Sequence, residues 1–277
     1  MITIDPKQVS TAQLHGYMLG AVAPRPIAFA STVDAKGNIN LSPFSFFNVF
    51  SANPPIMIFS PARRVRDNTT KHTLENVLEV KEVVINICNY AMVQQMSLAS
   101  TEYAQGINEF KKAGFTELAS ETVQPPRVAE APVQFECKVN DVVALGNEGG
   151  AGNLVICEVL KAHVSEAILD SDGKIDPVKL DAVSRMGGNW YGRAKEGMFE
   201  VPKPLSTLGI GIDNLPDAVK NSKVFTGNDL AMLANIETLP NNIINGIEID
   251  ETIHEEVQQF LLLDAVEKAW QKLIKTK

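Results

Sequence analysis

Clustered positive charge is the first feature of this sequence that could do chemistry. The cluster comprises Arg63, Arg64, Arg66 and Lys71, and a helical pattern begins at Lys71-His72-Thr73. Arginine forks match phosphate oxygens, and the first turn of a helix presents free amide donors at the positive end of its dipole. The cluster therefore predicts a phosphate site, with a solvated basic loop as the alternative.

A stretch in which hydroxyl and amide side chains alternate with aromatic rings precedes this cluster. It reads Ser42-Pro43-Phe44-Ser45-Phe46-Phe47-Asn48. Such a stretch mixes apolar and hydrogen-bonding groups, which suits a flat heterocycle with a polar edge. The residues alone favour the other interpretation, a strand followed by a turn with the phenylalanines in the core. If a heterocycle binds here, the candidate contacts are Ser42, Ser45, Asn48 and the backbone amides near Phe46 and Phe47.

Short strands must position both stretches. Three apolar runs, Ile27–Ala30, Ile39–Leu41 and Ile56–Phe59, are separated by turn-forming residues, and a loop of hairpin length joins the first two. Proline pairs at 24/26 and 54/55 keep helices out of this region. Polar side chains follow the first and third runs, and these are Ser31, Thr32 and Ser60.

The chain up to residue 204 reads mainly as strands, with a few short helices. Alternation over 133–139 predicts a half-buried strand, and 154–160 predicts a second strand. The glycine-rich segment 146–152 joins them and opens no helix, so we interpret it as a hairpin loop and not as a phosphate loop. Short helices are predicted after Ser10, from Lys71, after Asn89 and at 108–113. This order predicts a mainly β, antiparallel barrel with helices, not a parallel doubly wound sheet.

Helical patterns take over from residue 205. A capping box at Thr252 and Glu255 and an apolar stripe from Ile253 to Leu273 predict a terminal helix. We therefore divide the chain into a barrel domain, residues 1–204, and a helical C-terminal extension, residues 205–277. The extension is expected to pack on the barrel or on a partner subunit.

Composition excludes several classes of function. The 277 residues carry a formal net charge of −8 with a pI of about 5.1, which argues against nucleic-acid binding. Cys88, Cys137 and Cys157 each lie in an apolar run, as buried thiols of a reduced cytoplasmic protein do. The four histidines lack metal-ligand spacing, so no metal is expected. No targeting segment or membrane-spanning apolar run is apparent, and the cytoplasm is the expected location.

Several motifs in this chain resemble those of a known family. They are APRPIA-x-x-ST at 23–32, D-x-x-G-x-x-N at 34–40, S-P-F-S-x-F at 42–47, N-P-P at 53–55 and K-x-T-L-x-N at 71–76. In order and spacing they are similar to the flavin reductase-like proteins, which include flavoredoxins and the reductase partners of two-component monooxygenases. The resemblance spans roughly the first three quarters of the chain and, more loosely, the helical tail. It implies an FMN-binding split β-barrel, antiparallel and Greek-key-like, that is usually a homodimer.

The resemblance also implies which residues contact the flavin. It places the ring at 42–48 and at the Ser-Thr pair, and the phosphate at Lys71 and Thr73. His72 stands where family members often carry Asp. A later motif, R-x-G-G-x-x-Y, implies a second loop at the flavin, with an aromatic plug of the barrel as the alternative. The predicted cofactor-binding residues are Ser31, Thr32, Ser42, Ser45, Phe46, Phe47, Asn48, Ser60, Arg63, Arg64, Lys71, Thr73, Arg185, Gly188 and Tyr191.

The implied activity is reduction of flavin by NADH or NADPH. Because the cofactors carry the hydride chemistry, no catalytic side chain is predicted. The implied protein partner is a monooxygenase or another redox protein. Two other functions stay open: a non-catalytic FMN electron carrier of flavoredoxin type, and a barrel that binds a different phosphorylated heterocycle or a partner. No dinucleotide fingerprint distinguishes NADH from NADPH.

Overall fold

The computed structural model describes residues 1–201, 208–248 and 250–274. The chain divides into two compact units, Met1–Met198 and Phe199–Lys277. Each unit has a hydrophobic core of its own. The predicted boundary between residues 204 and 205 lies outside the described residues and stays a prediction.

Strands dominate the first unit. In chain order they are β1 (Ala28–Val33), β2 (Ile39–Phe44), β3 (Phe47–Ala52), β4 (Pro55–Phe59), β5 (Glu82–Ile87), β6 (Glu117–Leu118), β7 (Arg127–Val128), β8 (Val133–Ala144), β9 (Asn153–Val164), β10 (Val183–Arg185) and β11 (Tyr191–Arg193). Seven form one sheet in the order β2-β1-β5-β8-β9-β4-β3, and its neighbouring strands are all antiparallel. Small sheets pair β6 with β7 and β10 with β11. The predicted antiparallel, mainly β architecture is confirmed.

Helices connect these strands or flank them. They are α1 (Thr11–Ala21), α2 (His72–Glu79), α3 (Val93–Leu98), α4 (Glu109–Ala113) and α5 (Pro177–Leu180), with 3-10 turns at Tyr90–Met92 and Glu166–Ile168. Ser10 caps α1, since its Oγ accepts a hydrogen bond of 3.2 Å from the Gln13 amide. Gly114, at φ +71°, ends α4 in the left-handed conformation that glycine adopts most readily. The helices predicted at these two places are confirmed.

β1 lies inside the sheet and separates two cores. All six of its residues are buried, and their side chains point alternately to opposite faces. Ala30 packs on one face in a core that includes Leu74 of α2. Phe29 packs on the other face in a core that includes Phe110 of α4. Polar residues of β1 and β2 are therefore held between α2 on one side and α4 on the other.

β8 and β9 form the longest hairpin, and its loop packs on the basic stretch. A Cβ atom placed on Gly149 would lie 3.0 Å from the Val65 carbonyl oxygen, and one on Gly152 would lie 2.7 Å from Ser60 Oγ. Only glycine allows so close an approach without displacing the neighbours. The prediction of a hairpin loop here is confirmed.

Three details differ from the sequence-based expectations. Residues 47–52 form strand β3, whose mostly exposed residues show no clear alternation, so its periodicity could not be recognised. The helical spacing after Lys71 places Leu78 on one apolar stripe with Leu74 and Val77, but Leu78 is 52% exposed. Asn89 is a residue type that can cap the helix predicted after it, but it makes no capping hydrogen bond.

The second unit is helical in its described part. Its helices are α6 (Asp217–Lys220), α7 (Gly227–Ala234), α8 (Glu251–Leu262) and α9 (Val266–Leu273), with 3-10 turns at Ile212–Asn214 and Asn241–Asn245. Its core includes Val257 and Trp270, and Trp270 Nε1 donates to the Leu233 carbonyl oxygen at 3.2 Å. Among the described residues, no helix has the length and apolar character needed to cross a membrane.

The predicted terminal helix is corrected in two respects. The cap is Asp250, whose Oδ1 accepts from the Thr252 amide at 2.9 Å, so the Thr252–Glu255 capping box is wrong. The apolar stripe is divided between α8 and α9, because the chain turns at Asp264 with φ +53°. Sequence periodicity continued across this turn and so concealed it.

Candidate functional site

The N-terminus of α2 is the centre of the predicted phosphate site. Lys71 occupies the capping position, and its side chain makes no capping hydrogen bond. The first amides of a helix have no partner within the helix and carry its positive dipole end. The first turn of α2 therefore offers amide donors beside the ammonium group of Lys71.

Thr73 lies in this first turn with its hydroxyl held in place by β2. Thr73 is 1% exposed, and its Oγ1 accepts a hydrogen bond of 2.8 Å from Asn40 Nδ2. A hydroxyl that already accepts a bond keeps its own proton for another acceptor. A matching bond runs from Asn76 Nδ2 to Thr32 Oγ1 at 3.1 Å. These two bonds fix α2 on β1 and β2 and orient the Thr73 hydroxyl as a donor.

Three of the clustered cations converge on one carboxylate, that of Glu102. Glu102 Oε1 lies 3.1 Å from Arg64 Nε and 3.6 Å from Lys71 Nζ, and Oε2 lies 2.7 Å from Arg66 Nη2. Hydrogen bonds from the Arg66 and Arg64 guanidinium groups hold the pKa of this carboxyl below its usual value. The cluster thus forms a site that binds an oxyanion, here a carboxylate of the chain itself. Glu102 could not be identified from the sequence, because it follows the cluster by more than 30 residues and belongs to no motif.

Arg63 has a different environment from Arg64. Its Nε donates to Asn68 Oδ1 and its Nη2 to the Asn68 carbonyl oxygen, both at 2.6 Å. Its backbone bonds to Ala151 and Gly150 tie this loop to the β8–β9 hairpin. Arg63 therefore stabilises the loop, and a flavin contact by its side chain stays a prediction.

A shallow polar pocket adjoins the oxyanion site. Ser42, Asn40, Arg64, Lys71 and Thr73 line it together with the segment 99–103. Of the predicted site residues, the structure thus brings Ser42, Arg64, Lys71 and Thr73 together. Asn40 belongs to the D-x-x-G-x-x-N motif, so that motif could have identified it.

Glu109 forms the buried wall of this pocket. It is 5% exposed, and its Oε2 accepts from the Leu41 amide at 2.9 Å on the outer edge of β2. Burial raises the pKa of this carboxyl. Glu109 fastens α4 to the edge strand next to Ser42, a role that no sequence pattern indicated.

Ser31 and Thr32 are adjacent in β1 and therefore point to opposite faces of the sheet. Thr32 faces α2, where its hydroxyl bonds to Asn76. Ser31 faces the core that contains Phe29, and its buried Oγ has no hydrogen-bond partner among the described residues. The two side chains cannot line one wall, so a common flavin contact could only involve their backbone.

The predicted ring-binding stretch forms the corner between β2 and β3. Phe46 is 39% exposed, and its carbonyl oxygen accepts from the Ser60 amide at 2.8 Å. Ser60 Oγ in turn accepts from the Asn153 amide at 3.0 Å. Ser45 and Phe47 are half-buried, while Asn48 is exposed and bonds to the amide of its neighbour Val49. The corner is thus held by β4 and β9 and presents an aromatic ring and an amide to solvent.

The third group of predicted residues lies on the β10–β11 hairpin. The guanidinium carbon of Arg185 lies 4.6 Å from the centroid of the Tyr191 ring, and Arg185 Nη2 donates to the Gly188 carbonyl oxygen at 2.8 Å. Gly188 has φ +59° in the turn, and Trp190 beside it is 77% exposed. The three predicted residues of this hairpin thus lie together.

α1 connects these groups. The His15 ring packs edge-on against Phe46 at 6.0 Å between centroids, and a Cβ on Gly187 would lie 3.2 Å from the Cα of Gly20. Arg25, buried after α1, donates to the carbonyl oxygens of Leu19 at 2.5 Å and Met186 at 2.7 Å. α1 therefore runs from the β2–β3 corner to the β10–β11 hairpin.

Comparison with known proteins identifies the class of protein to which this antiparallel sheet belongs, because residues 19–179 match the flavin reductase like domain. The chain belongs to this family, whose members typically bind FMN.

Relatives of known sequence and structure support the assignment. An uncharacterised protein of Aquifex aeolicus is 37% identical over 188 residues, which are 68% of this chain and 93% of that protein. Nitrilotriacetate monooxygenase component B from Bacillus cereus is 29% identical with a TM-score of 0.68, over 73% of this chain and 98% of that one. A Shewanella frigidimarina protein with a split barrel domain, 23% identical, has a TM-score of 0.62 over 73% of this chain and 100% of that one. The fold is the split barrel of this family.

Proposed function

We propose that this protein binds FMN and transfers hydride from NADH or NADPH to flavin. The observation that carries the proposal is the oxyanion site at the start of α2 in a flavin reductase fold, where Arg64 and Lys71 contact the Glu102 carboxylate and Thr73 lines the same pocket. The donor set fits a phosphate: two cations, a helix N-terminus and an oriented hydroxyl.

The same donors specify how the chain would hold FMN. Arg64, Lys71 and Thr73 would take the phosphate, and Ser42 in the adjoining pocket would face the part of the molecule next to it. The corner at 45–48 and the hairpin residues Arg185, Gly188 and Tyr191 would approach the ring. Ser31, Thr32, Ser60 and Arg63 stay in the proposed site as supporting positions, since each is bonded or buried within the chain.

The flavin would supply the electron-accepting ring, and the protein would supply binding and orientation. No acid or base is required of the chain for hydride transfer, which agrees with the absence of a predicted catalytic side chain. The cysteines are not candidates either, because burial raises the pKa of each thiol and keeps it from reacting as a thiolate.

Anaerobic spectroscopy tests the proposed activity. Purified protein with FMN should show a flavin absorbance band. This band should bleach during the time that manual mixing takes when NADH or NADPH is added. The nucleotide that bleaches it faster is the preferred donor. A band that stays oxidised with both would contradict the reductase proposal and favour the electron carrier, and failure to bind FMN would contradict both.

We also propose that the protein is a cytoplasmic homodimer that passes electrons to a monooxygenase or another redox protein. The edge strand β3 exposes Val49 and Phe50 by 64% and 63%, which is apolar surface that a second subunit would cover. Three buried free thiols suit a reducing compartment. The Bacillus cereus relative is a monooxygenase component, which supports a partner of that kind. Light scattering should give a mass of two chains, and a single-chain mass would contradict the dimer.

A further inference from the structure

Glu102 fills the oxyanion site with a side chain of the protein itself. Its two carboxylate oxygens contact three different cations, two through Oε1 and one through Oε2. A phosphate bound by the same cations would need these positions for its own oxygens. Glu102 and a ligand phosphate therefore cannot both be bound there.

The geometry of Arg64 shows that this contact is specific. The Arg64 side chain is only 15% exposed, and its Nη1 donates to Thr69 Oγ1 at 2.9 Å and to the Thr70 carbonyl oxygen. One edge of the guanidinium is thus held by its own loop, and the Nε edge points at Glu102. A preoriented edge of this kind can bind one anion at a time, so the Glu102 carboxylate and a ligand phosphate compete for it.

The segment that carries Glu102 has few hydrogen bonds to the rest of the domain, so the Glu102 side chain can move. Its backbone bonds are local, from Ser100 to Ser97, from Thr101 to Leu98 and from Tyr103 to Thr101. The Glu102 side chain is 41% exposed, whereas Glu109, later in the same segment, is buried and fastened to β2. Glu102 can therefore swing into solvent while Glu109 keeps the segment in register.

We propose that Glu102 is an internal competitor for the phosphate and so sets the affinity of this site for phosphorylated flavin. This inference rests on the proposed FMN site. A phosphate monoester carries nearly two negative charges and three acceptor oxygens, whereas a carboxylate carries one charge and two oxygens. A dianionic terminal phosphate displaces Glu102, and riboflavin, which has no phosphate, does not. Glu102 thus lowers the retention of FMN and favours its exchange.

Ligand binding measured by quenching of flavin fluorescence tests this inference. Glu102→Gln keeps the size of the side chain and removes its charge, so it should bind FMN roughly three- to tenfold more tightly than the wild type, while riboflavin affinity stays the same. Glu102→Asp keeps the charge but shortens the reach, and it should bind FMN with an affinity between those two. Thermal melting of each variant checks that the fold is retained.

Glu148→Gln is the matched control. Glu148 is exposed in the β8–β9 loop, which packs on the same basic stretch, and it forms no ion pair within the described chain. The Glu148→Gln substitution removes the same charge as Glu102→Gln but leaves the oxyanion site unchanged. The FMN affinity of this variant should therefore equal that of the wild type. An equal gain in Glu148→Gln and Glu102→Gln would overturn the inference, because net charge alone would then explain both.

The outcomes separate the inference from the proposed function. Unchanged or weaker FMN binding by Glu102→Gln, with a wild type that binds FMN, would overturn the role of Glu102 and leave the FMN site standing. Tighter FMN binding by Glu102→Gln alone supports both. If neither protein binds FMN, the proposed function and the inference fall together.

Discussion

Arg63 and Arg64 are neighbours in the sequence, yet their guanidinium groups have different partners. Arg63 bonds to Asn68 of its own loop, and Arg64 points one edge at Glu102. Of the clustered cations, the structure brings Arg64, Arg66 and Lys71 together at Glu102, and the phosphate site itself stays a prediction. Clustered charge could not separate the two arginines, because their roles depend on loop geometry that their spacing does not encode.

Glu136 is a second residue whose role appears only in the structure. It is fully buried on β8 and accepts hydrogen bonds from the Thr122 side chain, from the amides of Glu121 and Thr122, and from His163 Nε2 at 2.8 Å. Burial alone would raise the pKa of this carboxyl, but these bonds outweigh burial and hold it at about 2. A lone Glu in an alternating strand reads as a solvent-facing residue, so the sequence concealed this anchor.

Glu136→Gln should lower the free energy of unfolding at neutral pH by about 2 to 4 kcal/mol, because several charge-assisted hydrogen bonds are lost. A carboxyl whose pKa is depressed by folding stabilises the protein above its unfolded pKa, and this stabilisation disappears as the pH falls through the folded value. The difference between variant and wild type should therefore shrink as the pH falls from 4.5 towards 2. Urea unfolding across this range measures it.

Glu166→Gln is the control for Glu136→Gln, since Glu166 is exposed and its side chain has no bond within the described residues. It should leave the unfolding free energy nearly unchanged at each pH. A stability difference for Glu136→Gln that is the same at acidic and neutral pH would contradict the role of its charge.

At the scale of elements, α1 and the β10–β11 hairpin are joined by one buried arginine. The Arg25 side chain donates to the carbonyl oxygens of Leu19, Val22 and Met186. Its backbone forms an isolated antiparallel β-bridge with the backbone of Arg185. Burial, with a contribution from the charge of Arg185, lowers the pKa of Arg25. Arg25 thus positions the hairpin that carries Tyr191, although the two are far apart in the sequence.

Arg25→Met should release this hairpin and the end of α1 together. We expect amide hydrogen exchange in 183–193 and in the last turn of α1 to accelerate by at least about tenfold, since three bonds to carbonyl groups are lost. The control is Lys36→Met, an exposed position in the β1–β2 turn, which should not change exchange in either segment. Acceleration in one segment without the other would contradict a shared anchor.

Strand and helix types were largely predictable from the sequence. The errors arose where the periodicity of apolar residues did not follow the structure. Strands with alternating or continuous apolar runs were found, and so were α1, which Ser10 caps, and α2, which has no side-chain cap. β3 was not, because an edge strand exposed on both faces has no two-residue period. The turn between α8 and α9 was not, because apolar spacing remained helical across it.

For the whole molecule, the family domain lies within the first of the two units. The Aquifex aeolicus relative is matched over 93% of its length by 68% of this chain. The family match, residues 19–179, lies wholly within Met1–Met198. The second unit has a core of its own and lies outside the residues that match the family. The predicted division between a barrel domain and a helical extension stays a prediction.

A chain that ends at Met198 should fold and bind FMN within about threefold of the affinity of the full chain, because the predicted site residues all precede residue 192. Circular dichroism and flavin titration measure these properties. A truncated protein that folds but loses more than about tenfold in affinity would show that the second unit completes the site.

We propose that the start of α2 holds the phosphate of FMN. The most direct test is to compare FMN with riboflavin in the double variant Arg64→Ala, Lys71→Ala. Loss of two charged donors should weaken FMN binding by about 30-fold or more and riboflavin binding by less than about threefold. Equal losses for the two ligands, or no loss for either, would contradict the phosphate site on which this account depends.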